Sequence, residues 1–328
     1  MISGYYLTQA ISVAANLRLA DAIGAVPKNA HELALAVHAD ESSLYRLLRA
    51  LSSVGIFKLR RDGRFALAPL GQALRSDDSL SLAPWAIYNG YDFHWRAWGR
   101  LLDAVRDGTT GIEQISQKPF FTLLDFDPSA AKVFDSAMGS LARALNGVLV
   151  RSYDFSRLRS LVDVGGGTGN LLAAILRRNP RLRGTLYDLP HVVEAAAFNL
   201  RKQKLTRRCQ VIGGDFFSAV PPGADAYILK QVLHDWSDAQ ALAILKMIRA
   251  AMGERGVLLV AEMVIPAGAR PSMGKLVDLE MLVCTGGRER TVAEFRELLA
   301  RGGFRLKKIF SGAAPLSIIE AVPRPGPA

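Results

Sequence analysis

Apolar residues return at helical intervals through the first part of the chain, with Leu17, Ala20 and Ile23 forming one stripe and Leu44, Leu47, Leu48 and Leu51 another. A break at Ala25-Val26-Pro27 lies between them, so the pattern predicts several short helices rather than one long one. A helix over residues 31–37 and a second over 40–54, opened by an Asp or Ser cap and closed by Gly55, lead into the apolar stretch 56–59. The turn Arg61-Asp62-Gly63-Arg64 and the stretch 65–67 then complete a helix, a turn, a helix and a two-stranded wing. Residues 80–149 read as helical again, with Trp85, Tyr88, Tyr91, Phe93, Trp95 and Trp98 crowded into their first part.

After Tyr153 the period changes. Short apolar runs at 161–164, 184–188, 209–213, 226–233 and 256–265 alternate with helical stretches, as in a parallel sheet covered on both faces. The expected fold is α/β, a Rossmann-like, doubly wound, mostly parallel sheet preceded by an N-terminal, mainly helical winged-helix domain. The expected boundary falls near residue 90, giving domains 1–90 and 91–328, the second beginning with linker helices.

Composition agrees with this two-domain reading, since 328 residues exceed one typical domain and half of them are hydrophobic. The most apolar run, 256–265, is too short to span a bilayer and carries Glu262 in its middle; no signal-peptide layout opens the chain. A cytoplasmic protein with no membrane partner is therefore expected. Cys209 and Cys284 are the only cysteines and lie far apart, which suggests neither a disulfide framework nor a metal site. The net charge of +11 raises the question of a polyanionic partner, but much of the surplus falls between residues 151 and 208. Its densest cluster, Arg201, Lys202, Lys204, Arg207 and Arg208, reads as a solvated helix face.

Chemistry enters at the first strand of the second half. Residues 161–170 form a strand, a glycine-rich turn and the start of a helix, a layout that lets a ligand approach the backbone and meet helix N-terminal amides. A dinucleotide fingerprint would require glycine where the chain has Asn170, which weakens the pyrophosphate reading. Asp188 ends the next strand where a ribose diol would sit, and Asp215 and Phe216 follow the third, a carboxylate for an adenine amino group and a ring for its face. Taken alone, Asp215 would be a turn cap.

Four segments carry a resemblance: Asp163-Val164-Gly165-Gly166-Gly167-Thr168-Gly169, Tyr187-Asp188-Leu189-Pro190-His191-Val192, Gly214-Asp215-Phe216-Phe217, and Leu229-Lys230-Gln231-Val232-Leu233-His234-Asp235-Trp236-Ser237-Asp238. With the segments 44–51 and 286–291, they make the chain resemble the plant caffeate-type and the bacterial polyketide and phenazine O-methyltransferases over nearly its whole length. The resemblance implies S-adenosyl-L-methionine as cofactor, S-adenosyl-L-homocysteine as product and no metal. It implies a cofactor site of Asp163, Gly165, Gly166, Gly167, Asp188, Leu189, Gly214, Asp215, Phe216 and Lys230, with the glycine turn on the methionine part and Lys230 at the adenosine end. It further implies that the winged-helix domain, 1–90, builds a homodimer and that 91–328 carries the methyltransferase. Phe134, Met138 and Met281 stand where family members line the acceptor pocket, and aromatics around Trp95 would contribute. Such residues at helical spacing are also ordinary core.

His234 and Asp235 follow what reads as a strand over 227–233, and Ser237 with Gln240 reads as a capping box opening the next helix. Histidine at the carboxyl edge of such a sheet can face both cofactor and substrate. Methyl transfer needs an oxygen nucleophile attacking in line, and loss of its proton during attack makes it far stronger. With reference pKa values of about 10 for a phenol and about 6.5 for imidazole, complete transfer beforehand would cost roughly 5 kcal/mol, so transfer and attack should overlap. Glu262, ending an apolar strand, is the stronger candidate to fix the imidazole, and Glu289 the second, although Arg288 and Arg290 beside it also suit a salt-bridged helix entry. The expected partner is a small hydroxyl acceptor, aromatic or polyketide-like.

Two other functions fit parts of the chain. Arg46, Arg49, Lys58, Arg60, Arg61 and Arg64 could let the winged helix contact DNA, but Arg46 and Arg49 alternate with leucines as on any amphipathic helix, so no nucleic-acid partner is expected. A cofactor-binding relative with hydroxylating, decarboxylating or cyclising chemistry is the other alternative. An intact His234 argues against it.

Overall fold

The computed structural model describes residues 2–312 and 315–324, and these fall into two compact units. Among the described residues the first comprises 2–99 and 115–144, and the second 100–114 and those from 145 onward.

In the first unit, helices Ala30–Val37 and Glu41–Ser53 begin at side-chain caps. Asn29 accepts from the Glu32 amide at 2.8 Å while Glu32 returns the bond at 2.7 Å, and Asp40 accepts from the Ser43 amide at 2.8 Å. Leu44, Leu48 and Leu51 point inward and meet Leu19, Ile23, Leu33, Phe57 and Phe65 in one core. Each such side chain contributes about 1.5–3 kcal/mol through burial, which outweighs the small helix propensity differences along these short segments. The wing is β1 (Phe57–Leu59) paired antiparallel with β2 (Phe65–Leu67). Arg46 and Arg49 lie on the exposed side of their helix. The unit's first helix is Gly4–Asn16, and helices Leu19–Ile23, Pro69–Gln72, Ala83–Asn89, Asp92–Trp98, Phe120–Phe126 and the start of Pro128–Arg151 also belong to it.

The second unit holds a seven-stranded sheet built from β3 (Ser160–Val164), β4 (Arg183–Asp188), β5 (Cys209–Gly213), β6 (Ala226–Lys230) and β7 (Val257–Glu262). A separate two-stranded pair, β8 (Val264–Ile265) with β9 (Arg290–Thr291), precedes the last two sheet strands, β10 (Phe304–Ser311) and β11 (Ser317–Pro323). The spatial order is β10-β11-β7-β6-β3-β4-β5, with the strands from β7 to β5 parallel, β11 antiparallel to β7, and β10 antiparallel to β11. The alternation read from the sequence feeds two cores. Leu161, Ala226, Ile228, Leu259 and Ala261 face one, with Leu172 and Ile175; Val162, Val164, Tyr227, Leu229, Leu258 and Val260 face the other, with Ile244, Leu245 and Phe295.

The structure corrects three expectations. The run 226–233 stops being a strand at Lys230, because Gln231 takes a left-handed φ of 52° and residues Leu233–Asp235 form a 3-10 turn. The run 256–265 divides into β7 and β8. The C-terminal hairpin of β10 and β11, which pairs Ser317 opposite Glu262, is an addition to the expected set. The chain leaves β3 toward β4 and β5, then returns to place β6 on the other side of β3. At such a reversal the loops beyond β3 and β6 part, and a ligand crevice opens at the carboxyl ends of the strands. Among the described residues no helix is long and apolar enough to cross a membrane.

Candidate active site

The glycine turn follows β3 directly. Gly165 has φ 68°, and a Cβ there would lie 2.8 Å from Val232 Cγ2, so both backbone conformation and packing require glycine. A Cβ at Gly166 would lie 2.9 Å from the Asp163 carboxylate. Asp163 is buried beneath the turn, with Oδ2 lacking a hydrogen-bond partner among the described residues. Burial holds its carboxyl up at about 7, with Lys230 opposing and Asp188 adding to the rise. Lys230, at the end of β6, is drawn down by burial and pushed back by Asp163 and Glu262.

Asp188 ends β4 and is pinned by two backbone amides, Gly167 N–H to Oδ2 and Leu189 N–H to Oδ1, each at 2.7 Å. Burial raises its pKa against those two bonds. Beyond β5, Asp215 Oδ1 accepts from the Phe217 amide at 2.8 Å, so this exposed carboxylate caps its turn in the way its position alone suggested. Gly214 must be small for a different neighbour, since a Cβ would lie 2.4 Å from the Tyr187 hydroxyl. Phe216 flanks the glycine turn, with Cε1 3.7 Å from where a Gly165 Cβ would stand, and meets Trp236 edge-on at 6.1 Å between centroids. The ten residues expected to hold the cofactor thus gather along the carboxyl edge of four adjacent strands.

His234 sits in the 3-10 turn after β6 and is 7% exposed. Its Nδ1 lies 2.8 Å from Glu289 Oε1 and 3.7 Å from Glu262 Oε2, while Nε2 lies 3.6 Å from Asp235 Oδ1. Glu289, the second candidate in the sequence, is therefore the carboxylate bonded to the ring. Glu262 works mainly on the backbone: its Oε1 accepts from the amides of Val232, Leu233 and His234 at 3.1, 3.0 and 3.4 Å. Burial alone would lower the imidazole pKa, but Glu262, Asp235 and Glu289 together push it up to about 10. Burial also lifts Glu262 to about 7 and Asp235 to about 6. A neutral ring that donates from Nδ1 to Glu289 presents its lone pair at Nε2, the form a proton acceptor needs.

The four expected wall residues separate. Trp95, Phe134 and Met138 belong to the first unit, where Phe134 packs against Phe120 and Tyr88 at 5.1 and 6.0 Å. Met281 belongs to the second, buried on helix Gly274–Cys284. Sequence reasoning missed Asp278, which accepts from the Glu289 amide at 2.8 Å, Gly287, packed against the His234 backbone, and Arg290, buried beneath the turn. A glycine pair and an arginine beside a candidate acid were the only available signals.

Comparison with known proteins agrees with this geometry. Residues 1–77 match an O-methyltransferase dimerisation domain, and residues 98–305 match an O-methyltransferase domain. The chain is 42% identical to a phenazine O-methyltransferase of Lysobacter antibioticus, over 98% of this chain and 94% of that protein. It is 39% identical to the mitomycin biosynthesis 6-O-methyltransferase of Streptomyces lavendulae, over 98% and 92% respectively. The structure superposes with a TM-score of 0.82 and 36% identity, covering 97% of this chain and 96% of the other, on an O-methyltransferase from neocarzinostatin biosynthesis solved with S-adenosylmethionine and 2-hydroxy-5-methyl naphthoic acid.

Proposed function

The chain belongs to the O-methyltransferase family and is an S-adenosylmethionine-dependent O-methyltransferase; from that premise we propose that its acceptor is a flat aromatic or polyketide-like hydroxyl compound, deprotonated by His234. The observation that carries the proposal is the 2.8 Å contact between Nδ1 and Glu289, which in the neutral ring puts the basic lone pair on Nε2.

The unpartnered Asp163 oxygen and the close-packed glycine turn fit a polar ligand lying along the sheet edge. Gly165, Gly166 and Gly167 would hold the amino-acid part of the cofactor, Asp188 and Leu189 the ribose region, and Gly214, Asp215, Phe216 and Lys230 the adenosine end. When bound, S-adenosylmethionine supplies an electrophilic methyl group. His234 takes the hydroxyl proton at Nε2, Glu289 fixes the tautomer, Glu262 holds the turn, and Asp235 adds negative charge beside the imidazolium. Trp95, Phe134, Met138 and Met281 would shape the acceptor's apolar surroundings. Aromatic acceptors are favoured because a phenol loses its proton far more readily than an aliphatic alcohol.

Pairing of two copies through residues 1–90, with catalysis in 91–328, is part of the same proposal. It is supported by the dimerisation-domain match and by Tyr5, Tyr6 and Leu7 exposed on the first helix. Cys209 and Cys284, both buried and neither in a disulfide, suit a cytoplasmic enzyme. Neither nucleic acid nor a membrane enters this reading.

Incubating phenols, quinols and hydroxylated polyketides with methyl-labelled cofactor should yield an O-methylated aromatic product by mass spectrometry. Label found only on nitrogen or carbon, or a product lacking the added methyl mass, would overturn it. Asp188→Ala should weaken cofactor binding at least tenfold by calorimetry, since the substitution also frees the Gly167 amide; unchanged affinity would remove Asp188 from the site.

A further inference from the structure

We propose that Arg290 is a positioning residue for the base, holding from below the turn whose amides Glu262 holds from the strand beside it. The proposal rests on the reading of His234 as base.

Once the chain leaves β6, its last ladder bond is from the Gln231 amide to the Ala261 carbonyl at 3.0 Å. The next backbone groups must find partners elsewhere, because buried and unpaired they would each cost about 1–3 kcal/mol. Glu262 takes the donors. The acceptors go to the segment bearing Glu289: Leu233 O and Trp236 O receive from Arg290 Nη1 and Nη2 at 2.9 and 3.2 Å, and His234 O receives from the Arg288 amide at 2.8 Å.

Arg290 is 1% exposed, and its guanidinium is fully used. Nε bonds Asp238 Oδ1 at 3.0 Å; Nη1 bonds Leu233 O and, at 3.3 Å, Arg288 O; Nη2 bonds Trp236 O and, at 2.7 Å, Asp238 Oδ1. Five N–H groups thus meet five acceptor contacts, a count that lysine, with three donors on one nitrogen, cannot match. The carbonyls held are that of Leu233 just before His234, that of Trp236 two residues after it, and that of Arg288 just before Glu289. Arg290 therefore sets the relative placement of ring and carboxylate, while touching neither the imidazole nor the expected cofactor edge.

The charged groups facing His234 are Asp235 on its own turn, Glu262 on β7 and Glu289 in the segment leading to β9, with Arg290 behind them. Loosening the Glu289 contact should ease deprotonation of the ring. Arg290→Lys is expected to lower kcat at least tenfold, to leave the cofactor dissociation constant within threefold, and to move the ascending limb of the pH–kcat profile toward acid. Phe295→Leu, a core change on the helix Val292–Arg301 that follows β9, should lower Tm while leaving that limb in place. Wild-type kcat in Arg290→Lys, or a fall in kcat with the limb unmoved as in Phe295→Leu, would overturn the proposal. If Arg290→Lys does not fold, Asp238→Asn, which weakens two of the five bonds from a 44% exposed side chain, should move the limb in the same direction, and an unmoved limb would again overturn it. Activity retained by His234→Gln would instead defeat the assignment of the base.

Discussion

Gly287→Ala is expected to reduce methyl transfer at least a hundredfold. An added Cβ would stand 1.9 Å from the His234 carbonyl oxygen, 2.5 Å from the Asp235 carbonyl carbon and 2.6 Å from the Trp236 amide nitrogen. All three are backbone atoms, so no side chain can swing aside. Either the turn 233–236 or the segment 286–290 must move by more than an ångström, and the Arg288 amide to His234 carbonyl bond and the Glu289 contact to Nδ1 are lost with it. A displacement of about 1 Å at a catalytic group costs on the order of a hundredfold in rate. Gly253→Ala, where a Cβ meets nothing within 4 Å, provides the comparison and should leave kcat nearly unchanged. Steady-state rates on both purified variants decide the matter, and a Gly287→Ala enzyme with near-normal kcat would mean that the packing around His234 is looser than described.

Replacing His234 with alanine should lower kcat by roughly 10²–10⁴-fold, the usual scale of general-base assistance, with cofactor affinity within a few-fold of normal. The surrounding carboxylates change the energetics expected from sequence. An ordinary imidazole is a much weaker base than a phenolate, whereas one raised to about 10 is matched to it, so proton transfer becomes nearly level. The cost is occupancy: a base with that pKa is unprotonated about one time in a thousand at pH 7. The base works only when deprotonated and its neighbours favour the protonated form, so wild-type kcat/KM should climb with pH from neutrality toward about 10. In the alanine variant that limb should disappear or follow the acceptor's own ionisation. A variant that kept both the rate and the limb would exclude this residue from proton transfer.

The sheet was readable because its strands alternate between two apolar layers, and the caps at Asp40 and Ser237 were readable because capping is local chemistry. The turn carrying the base was misread for an equally physical reason. Val232 and Leu233 are as apolar as the strand before them and also buried, but hydrophobicity reports burial, not extension; only the left-handed Gln231 shows where the strand ends. Glu262 and Glu289 were both found as acids near His234, but their division of labour depends on a loop geometry that residue order does not encode. Arg290 read only as part of a salt-bridged helix entry beside Glu289, because charged side chains are rarely buried; its three bonds to backbone carbonyls and two to Asp238 emerge only when the segments 233–238 and 288–290 converge.

The position of β11 has a consequence for how this enzyme is made. Residues 317–323 are the last strand described, and they cover the outer side of β7, the strand that ends in Glu262. While a ribosome is still short of them, Leu258, Leu259 and Val260 form the bare margin of a growing sheet, open to pairing with another nascent chain. A premature stop just before β11 would therefore yield a sticky, incomplete sheet rather than a slightly shortened enzyme.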